Sequence, residues 1–336
     1  MRPGPQAAFW ALVLLALGVA GLLLGTVVGS QGWEAWWRPT GLLAQDPVMQ
    51  QIVQDIRLPR SLGAWLGGAL LGLSGAVAQG LFRNPLADPY LLGSASGASL
   101  GVSLYLSLFG GSVMASAWWP RLGMTGAAFV GAVAAVALTL LLARGVQQTL
   151  RLLLAGVVVG VVLGALTSLI ALFQPQVLQA MQGFMLGSTA FVGWTACGLM
   201  ALALLLALGV AWTLARVLDA LTLGEATAQS LGMPLRAARL WLVAALSLAT
   251  AAAVAQLGLI AFVGLAAPHA VRSLLRCTHA GVLLLSALMG GALLLLADVL
   301  ARGVLAPQDL PVGVLTAVLG GVYLLWRMNA VRKVTA

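Results

Sequence analysis

Lysine is all but missing from this 336-residue chain: of its 17 cationic residues only Lys333 is a lysine. A Gly-rich phosphate loop ending in Gly-Lys-Ser/Thr cannot be built from such a sequence, so the chain does not bind ATP in that way. Charge of either sign is scarce, at 7% of residues, where a soluble domain carries about a quarter. The net charge is +9, yet the cations stand singly and form no stripe of the kind a nucleic-acid surface needs, so no nucleic-acid partner is expected. Cysteine is limited to Cys197 and Cys277, in different predicted segments and without Cys-x-x-Cys spacing, which removes the usual metal and redox readings. Histidine is limited to His269 and His279. With no His-Glu-x-x-His and no Gly-x-Ser-x-Gly, nothing suggests an intramembrane enzyme, and neither a catalytic residue nor a metal site is expected.

What the chain does have is apolar surface, at 61% hydrophobic residues. Cutting it at charges and Pro/Gly-rich breaks, with about 20 apolar residues per span, yields about ten transmembrane helices and little chain for anything else. The approximate spans are 7–29, 61–81, 93–110, 122–143, 152–172, 193–215, 238–258, 260–275, 280–301 and 313–327. The first is too long for a signal-peptide core and reads as a retained helix. The polar run Gln174-Pro175-Gln176, with Gln179 and Gln182, must interrupt the charge-free stretch 152–215, which places a short interfacial helix there. The expectation is an all-α polytopic membrane protein whose residues 1–336 form a single transmembrane domain in contact with lipid.

Orientation follows from the retention of Lys and Arg in the cytoplasm. With the N-terminus inside, Arg2, Arg83, Arg144, Arg151, Arg216, Arg236, Arg239, Arg272, Arg276, Arg327, Arg332 and Lys333 fall on the cytoplasmic side. Only Arg38, Arg57, Arg60, Arg121 and Arg302 fall outside. Both termini are therefore expected in the cytoplasm, His279 is expected near the cytoplasmic surface, and the outer arginines need a reason. Trp33, Trp36, Trp37, Trp118 and Trp119 gather at the outer boundary, as an interfacial aromatic belt does. Glycines four apart, Gly63 and Gly67, Gly68 and Gly72, and Gly156, Gly160 and Gly164, predict close helix packing.

Asp298 is the acidic residue set well inside a predicted span, and Arg302 stands four residues on. That spacing favours an ion pair on one helix over a proton relay, which would need a chain of such groups. A proton-coupled secondary transporter is thereby disfavoured. Between the sixth and seventh spans, Asp219 to Pro234 is too polar to insert and too patterned for a slack loop. Thr222 and Glu225 have capping-box spacing, and Gly232 with Pro234 supplies a stop, so a short cytoplasmic helix is predicted over 223–231.

Several blocks occur in an order that resembles the FecCD/BtuC-type permeases. They are Arg57-Leu-Pro-Arg60, Gly68-Ala69, Ser74-Gly75, Gln79 and Arg83-Asn-Pro-Leu-Ala-Asp-Pro89, then Leu92-Gly93 and Gly97-Ala98. Further on come Leu223-Gly-Glu225, Ser230-Leu-Gly232, Phe262-Val-Gly-Leu265 and Pro268-His269. Leu296-Ala-Asp298, Arg302, Leu310-Pro-Val-Gly313 and Thr316-Ala317 complete the set. Two local departures are Thr278-His279-Ala280, where such permeases commonly have Asp-His-Arg, and Val322-Tyr323, where Pro-Phe is frequent.

The resemblance implies a BtuC-like, homodimeric permease of a type II ABC importer in a bacterial inner membrane. Two cytoplasmic ATPase subunits, which hold the ATP and magnesium, and one periplasmic substrate-binding protein would complete the complex. The permease itself would hold no cofactor. Substrates of such importers are ferric siderophores, haem and cobalamin; overall likeness favours haem or a siderophore, with cobalamin the alternative. The resemblance places ATPase coupling on Leu223, Gly224, Glu225, Ala226, Leu231 and Gly232, and binding-protein docking on Arg57, Arg60 and Arg302. Gly156, Gly160, Gly164, Thr167 and Ser168, on the apolar fifth span, are the expected pathway lining, because such a wall offers a large chelate no strong hold.

Overall fold

A computed structural model describes residues 5–29, 47–110, 118–143 and 149–334; Arg2, Trp33, Trp36, Trp37, Arg38 and Arg144 lie outside the described residues. All regular structure of any length is helical. In chain order the helices are α1 (Pro5–Val27), α2 (Pro47–Ile52), α3 (Leu58–Phe82), α4 (Ser94–Phe109), α5 (Trp118–Leu142), α6 (Thr149–Phe173) and α7 (Pro175–Leu186). They continue with α8 (Trp194–Thr213), α9 (Ala215–Thr222), α10 (Glu225–Ser230), α11 (Leu235–Leu257), α12 (Val263–Leu274), α13 (His279–Gly303) and α14 (Val312–Val334).

Every expected span coincides with a helix, and α7 takes the place of the predicted interfacial segment. Among the described residues, seven helices are long and apolar enough to cross a membrane alone. α4, with 16 residues, and α12, with 12, are shorter than the roughly 20 residues a bilayer core asks for. Irregular chain completes them. The turn Pro89–Leu92 precedes α4, and residues 258–262 precede α12. Such backbone survives within a bundle only when its polar groups find protein partners. Here the Tyr90 hydroxyl donates to the Ile260 carbonyl and Thr139 donates to the Leu92 carbonyl. Asp88 caps the turn by accepting from the Tyr90 N–H. Burial of its carboxyl raises the Asp88 pKa.

α3 is the axis of the fold: 89% of its apolar stretch is buried, against 11% for α6. It packs on α13 with backbones nearly touching, since a Cβ at Gly68 would strike the Gly290 carbonyl and one at Gly72 the Ser286 carbonyl. Gly75 meets Gly264 of α12 in the same way. The glycine spacing in α3 therefore has its packing reason.

The α6 glycines separate into different roles. Gly156 is packed against the Leu91 backbone, whereas a side chain at Gly164 would meet open space. Replacing Gly72 by Val should overpack a contact made of backbone and destabilise the fold by about 1–3 kcal/mol or more. Gly164→Ala should leave stability unchanged or raise it by about 0.5–1 kcal/mol, because Ala is the better helix former. Thermal unfolding of both variants in detergent checks this; equal effects would refute the packing assignment.

Candidate functional site

α3 is 25 residues long, about 37 Å at 1.5 Å per residue, and carries Arg60 near one end and Arg83 just past the other. Polar clusters form at both ends.

At the Arg60 end the Asp298 carboxylate is wholly buried. It accepts from Arg302 Nη2 at 2.5 Å, from Arg60 Nε at 3.2 Å and from the Thr189 hydroxyl at 2.5 Å. Arg60 also reaches Asp309, at 2.7 Å. The expected Asp298–Arg302 pair forms, but it is embedded in a wider network.

Arg302 was expected at the surface and is not there. It is 2% exposed, donating to the Gly25 carbonyl at 3.0 Å and to the Ser61 hydroxyl at 3.0 Å. Arg57 likewise donates to the Thr26 carbonyl at 2.8 Å. The last carbonyls of a helix lack intrahelical partners and carry the negative end of its dipole. Arg57 and Arg302 thus cap the C-terminus of α1, which gives each cation a role within the chain. Arg60, only partly buried, reaches the wall of a cavity of about 680 Å³ shared with Gln179, Gln182, Gln256 and Asp309.

At the Arg83 end the expected helix over 223–231 is realised as the shorter α10, and a second short helix, α9, precedes it. Gly224 has φ 104°, a conformation that favours glycine, and separates α9 from α10. The capping box does not form: the Thr222 hydroxyl donates to the Asp219 carbonyl within its own helix. Glu225 turns towards the spans instead, accepting from Arg239 of α11 at 2.6 Å and from Arg83 at 3.3 Å. Asp219 accepts from the His279 N–H at 2.9 Å and pairs with its Nδ1 at 2.7 Å, so α9 caps the first turn of α13. His279, expected near the surface, is buried by this contact.

The buried Ala228 fastens α10 to the bundle. Leu223 and Leu231, in contrast, are 65% and 58% exposed, and Ala226 and Gly232 are exposed beside them. An apolar face is thus presented beside the anchored acid.

On α6 the Thr167 and Ser168 hydroxyls donate to the Leu163 and Gly164 carbonyls of their own helix. Such a wall offers a solute few free polar groups. Gly156 is occupied by the Leu91 contact, while Gly164 faces open space. His269 stacks edge-on against Tyr323 at 5.9 Å. No group of three or more metal-ligating side chains occurs among the described residues. Burial raises the pKa of the half-buried Cys277, with Arg272 opposing.

The pairs Glu225–Arg239, Arg83–Glu225, Asp219–His279 and Arg60–Asp309 were not legible from spacing, because their partners lie far apart in sequence on different elements. One signal was available: with 8 acids in the whole chain, any acid near an apolar segment invites a search for its cation. Asp298→Ala would leave Arg302 buried without its carboxylate and should destabilise by about 3–5 kcal/mol. Denaturant unfolding of the purified protein measures it, and a loss below 1 kcal/mol would contradict the network.

Residues 10–329 match the FecCD transport family. The vitamin B12 import system permease protein BtuC of Escherichia coli O9:H4 (strain HS) is 39% identical over 328 residues, covering 96% of each chain. The same-named protein of Shigella boydii serotype 18 gives the same values, and that of Escherichia coli O157:H7 is 40% identical over 321 residues, 94% of each chain. Among solved structures, an inward-facing transporter assigned to the metal-chelate ABC type aligns with TM-score 0.81 at 30% identity, covering 94% of this chain and 96% of that one. PsaBC from Streptococcus pneumoniae, at TM-score 0.52 and 19% identity over 77% of this chain, shares the fold. A family match over nearly the full length, with near-complete coverage of relatives, makes this chain a member of the FecCD transport family.

Proposed function

We propose that the chain is the membrane-spanning subunit of an ABC importer for a metal chelate, and that the chelate is cobalamin. The carrying observation is the 39% identity over 96% of both chains to permeases named for vitamin B12 import. That likeness favours the alternative weighed from the sequence over haem or a siderophore. Within the exposed part of α6 beyond its first turn, which carries Arg151, no cationic side chain stands ready for the acidic groups of the latter two.

In this reading two copies enclose the pathway between ten-span halves, with termini on the cytoplasmic side of a bacterial inner membrane. The exposed face of α6 around Gly160, Gly164, Thr167 and Ser168 contributes to the lining. Two ATPase subunits, carrying ATP and magnesium, press on Leu223, Ala226, Leu231 and Gly232 at the α9–α10 element. A periplasmic binding protein docks at the opposite end, where Arg57 and Arg60 are the cations still within its reach. Alternating access then needs no ligand on the permease, because affinity resides in the binding protein and release is eased by a wall with little to hold.

The test is ATP hydrolysis by the reconstituted complex, with its binding protein loaded in turn with cobalamin, haem and a ferric siderophore. Stimulation by the cobalamin-loaded protein is expected; stimulation confined to haem or siderophore would overturn the substrate assignment. Ala228→Pro places a proline inside α10, the short helix flanked by the exposed Leu223 and Leu231, at about 3 kcal/mol or more against that helix. It should abolish ATP-driven uptake in vesicles, and normal uptake by that variant would remove α10 from the coupling route.

A further inference from the structure

Glu225 belongs to the element expected to meet an ATPase, yet its carboxylate is engaged by arginines of the spans. One oxygen, Oε1, accepts from Arg239 at 2.6 Å and from Arg83 at 3.3 Å. Arg239 is 4% exposed and lies in the first turns of α11, whereas Arg83 is the left-handed C-cap of α3, with φ 50°. A cation so deeply buried is strongly destabilising once its acid is lost, so the contact persists while α10 stays folded.

The far ends of the same two helices meet at the other side of the molecule. Arg60 of α3 and Gln256 of α11, with Leu257 and Gly258 beyond it, line the cavity of about 680 Å³. Both helices are long and unbroken, with 25 and 23 residues, and α3 and α11 are packed along each other in the main core. A displacement of α10 would therefore be delivered by one carboxylate to two rods whose opposite ends shape the cavity.

We propose that Glu225 is a positioning residue for transport: through Arg239 and Arg83 it ties α10 to α11 and α3, and carries movement of the ATPase-facing element to the cavity at the Arg60 end. This rests on the importer reading above. Leu223 and Leu231 make the partner contact, and Glu225 transmits it.

The experiment uses the full complex in proteoliposomes with cobalamin-loaded binding protein. It measures cobalamin moved per ATP hydrolysed, together with co-purification of the ATPase on the permease. For Glu225→Gln, the transported amount per ATP should fall at least tenfold while the ATPase still co-purifies. The exchange Glu225→Arg with Arg239→Glu should recover a substantial part of the loss. If Glu225→Gln folds poorly, Arg83→Gln tests the exposed half of the bridge, because Arg83 is 42% exposed, and it should lower the same ratio severalfold. Loss of ATPase co-purification in Glu225→Gln would make the residue a docking contact and overturn the proposal. An unchanged ratio in Glu225→Gln, or in Arg83→Gln where only that variant folds, would overturn it as well. Failure of the importer reading is distinct, since the unaltered complex would then show no ATP-dependent uptake.

Discussion

A charge placed in an apolar bundle must find an opposite charge or a carbonyl, and the Asp298 carboxylate is where that constraint is met most completely. With two arginines and a threonine hydroxyl around it, its four lone-pair directions are nearly filled. The arginines in turn reach other elements: Arg302 the end of α1 and the start of α3, Arg60 the loop after α13. One buried acid thereby sets the relative positions of α1, α3 and α13 at that end. Whether such a group adds net stability over an apolar replacement is a separate matter, since desolvation opposes the Coulomb gain. What it supplies is register: two cations of fixed geometry admit one arrangement of three helices.

The two ends of the bundle solve similar problems differently. At the Arg60 end Asp298 and Arg302 are sealed, and Arg57 and Arg302 are spent on helix carbonyls. At the Arg83 end the acids sit on a short element, about a third exposed, and hold Arg83, Arg239 and His279 at the ends of the spans. The first arrangement suits a fixed frame. The second suits an attachment that is firm yet reachable, with Ala228 packed inward and Leu223 and Leu231 left outside. Between the ends, glycine-to-carbonyl contact of α3 with α13 leaves no slack that could absorb a displacement before it crosses the bundle.

The helices were legible because apolar run length is a local property, and α1, α3, α6 and α13 fall within a few residues of their expected bounds. The Asp298–Arg302 pair was legible for the same reason, being a matter of four residues on one helix. Thr222 and Glu225 show the limit of local spacing. A capping box competes with any partner outside the helix, and here a buried guanidinium wins Glu225 while Gly224 breaks the chain between them. Arg302 shows the same limit: proximity to a span end says nothing of the α1 carbonyls folded over it. His279 was placed near a surface because Asp219, sixty residues earlier, gave no local sign of covering it.

The short helices α4 and α12 carry a consequence that span counting hides. Each begins from irregular chain held inside the bundle, and the two irregular segments are linked by the Tyr90 hydroxyl on the Ile260 carbonyl. Gln79 of α3 adds a second tie, donating to the Leu265 carbonyl of α12. Phe262, at φ 68°, is a non-glycine residue in the left-handed region, where a bulky side chain is strained, and its side chain is pressed against Gly320 of α14. Strain of that kind persists only where surrounding contacts over-determine it. Here Tyr90, Gln79 and Gly320 do so from three different elements. A segment held against strain by separable contacts is easier to shift than a continuous helix, because the strain is released as the contacts open. The junction before α12 is therefore the natural place for a bundle otherwise locked by glycine packing and buried ions to yield.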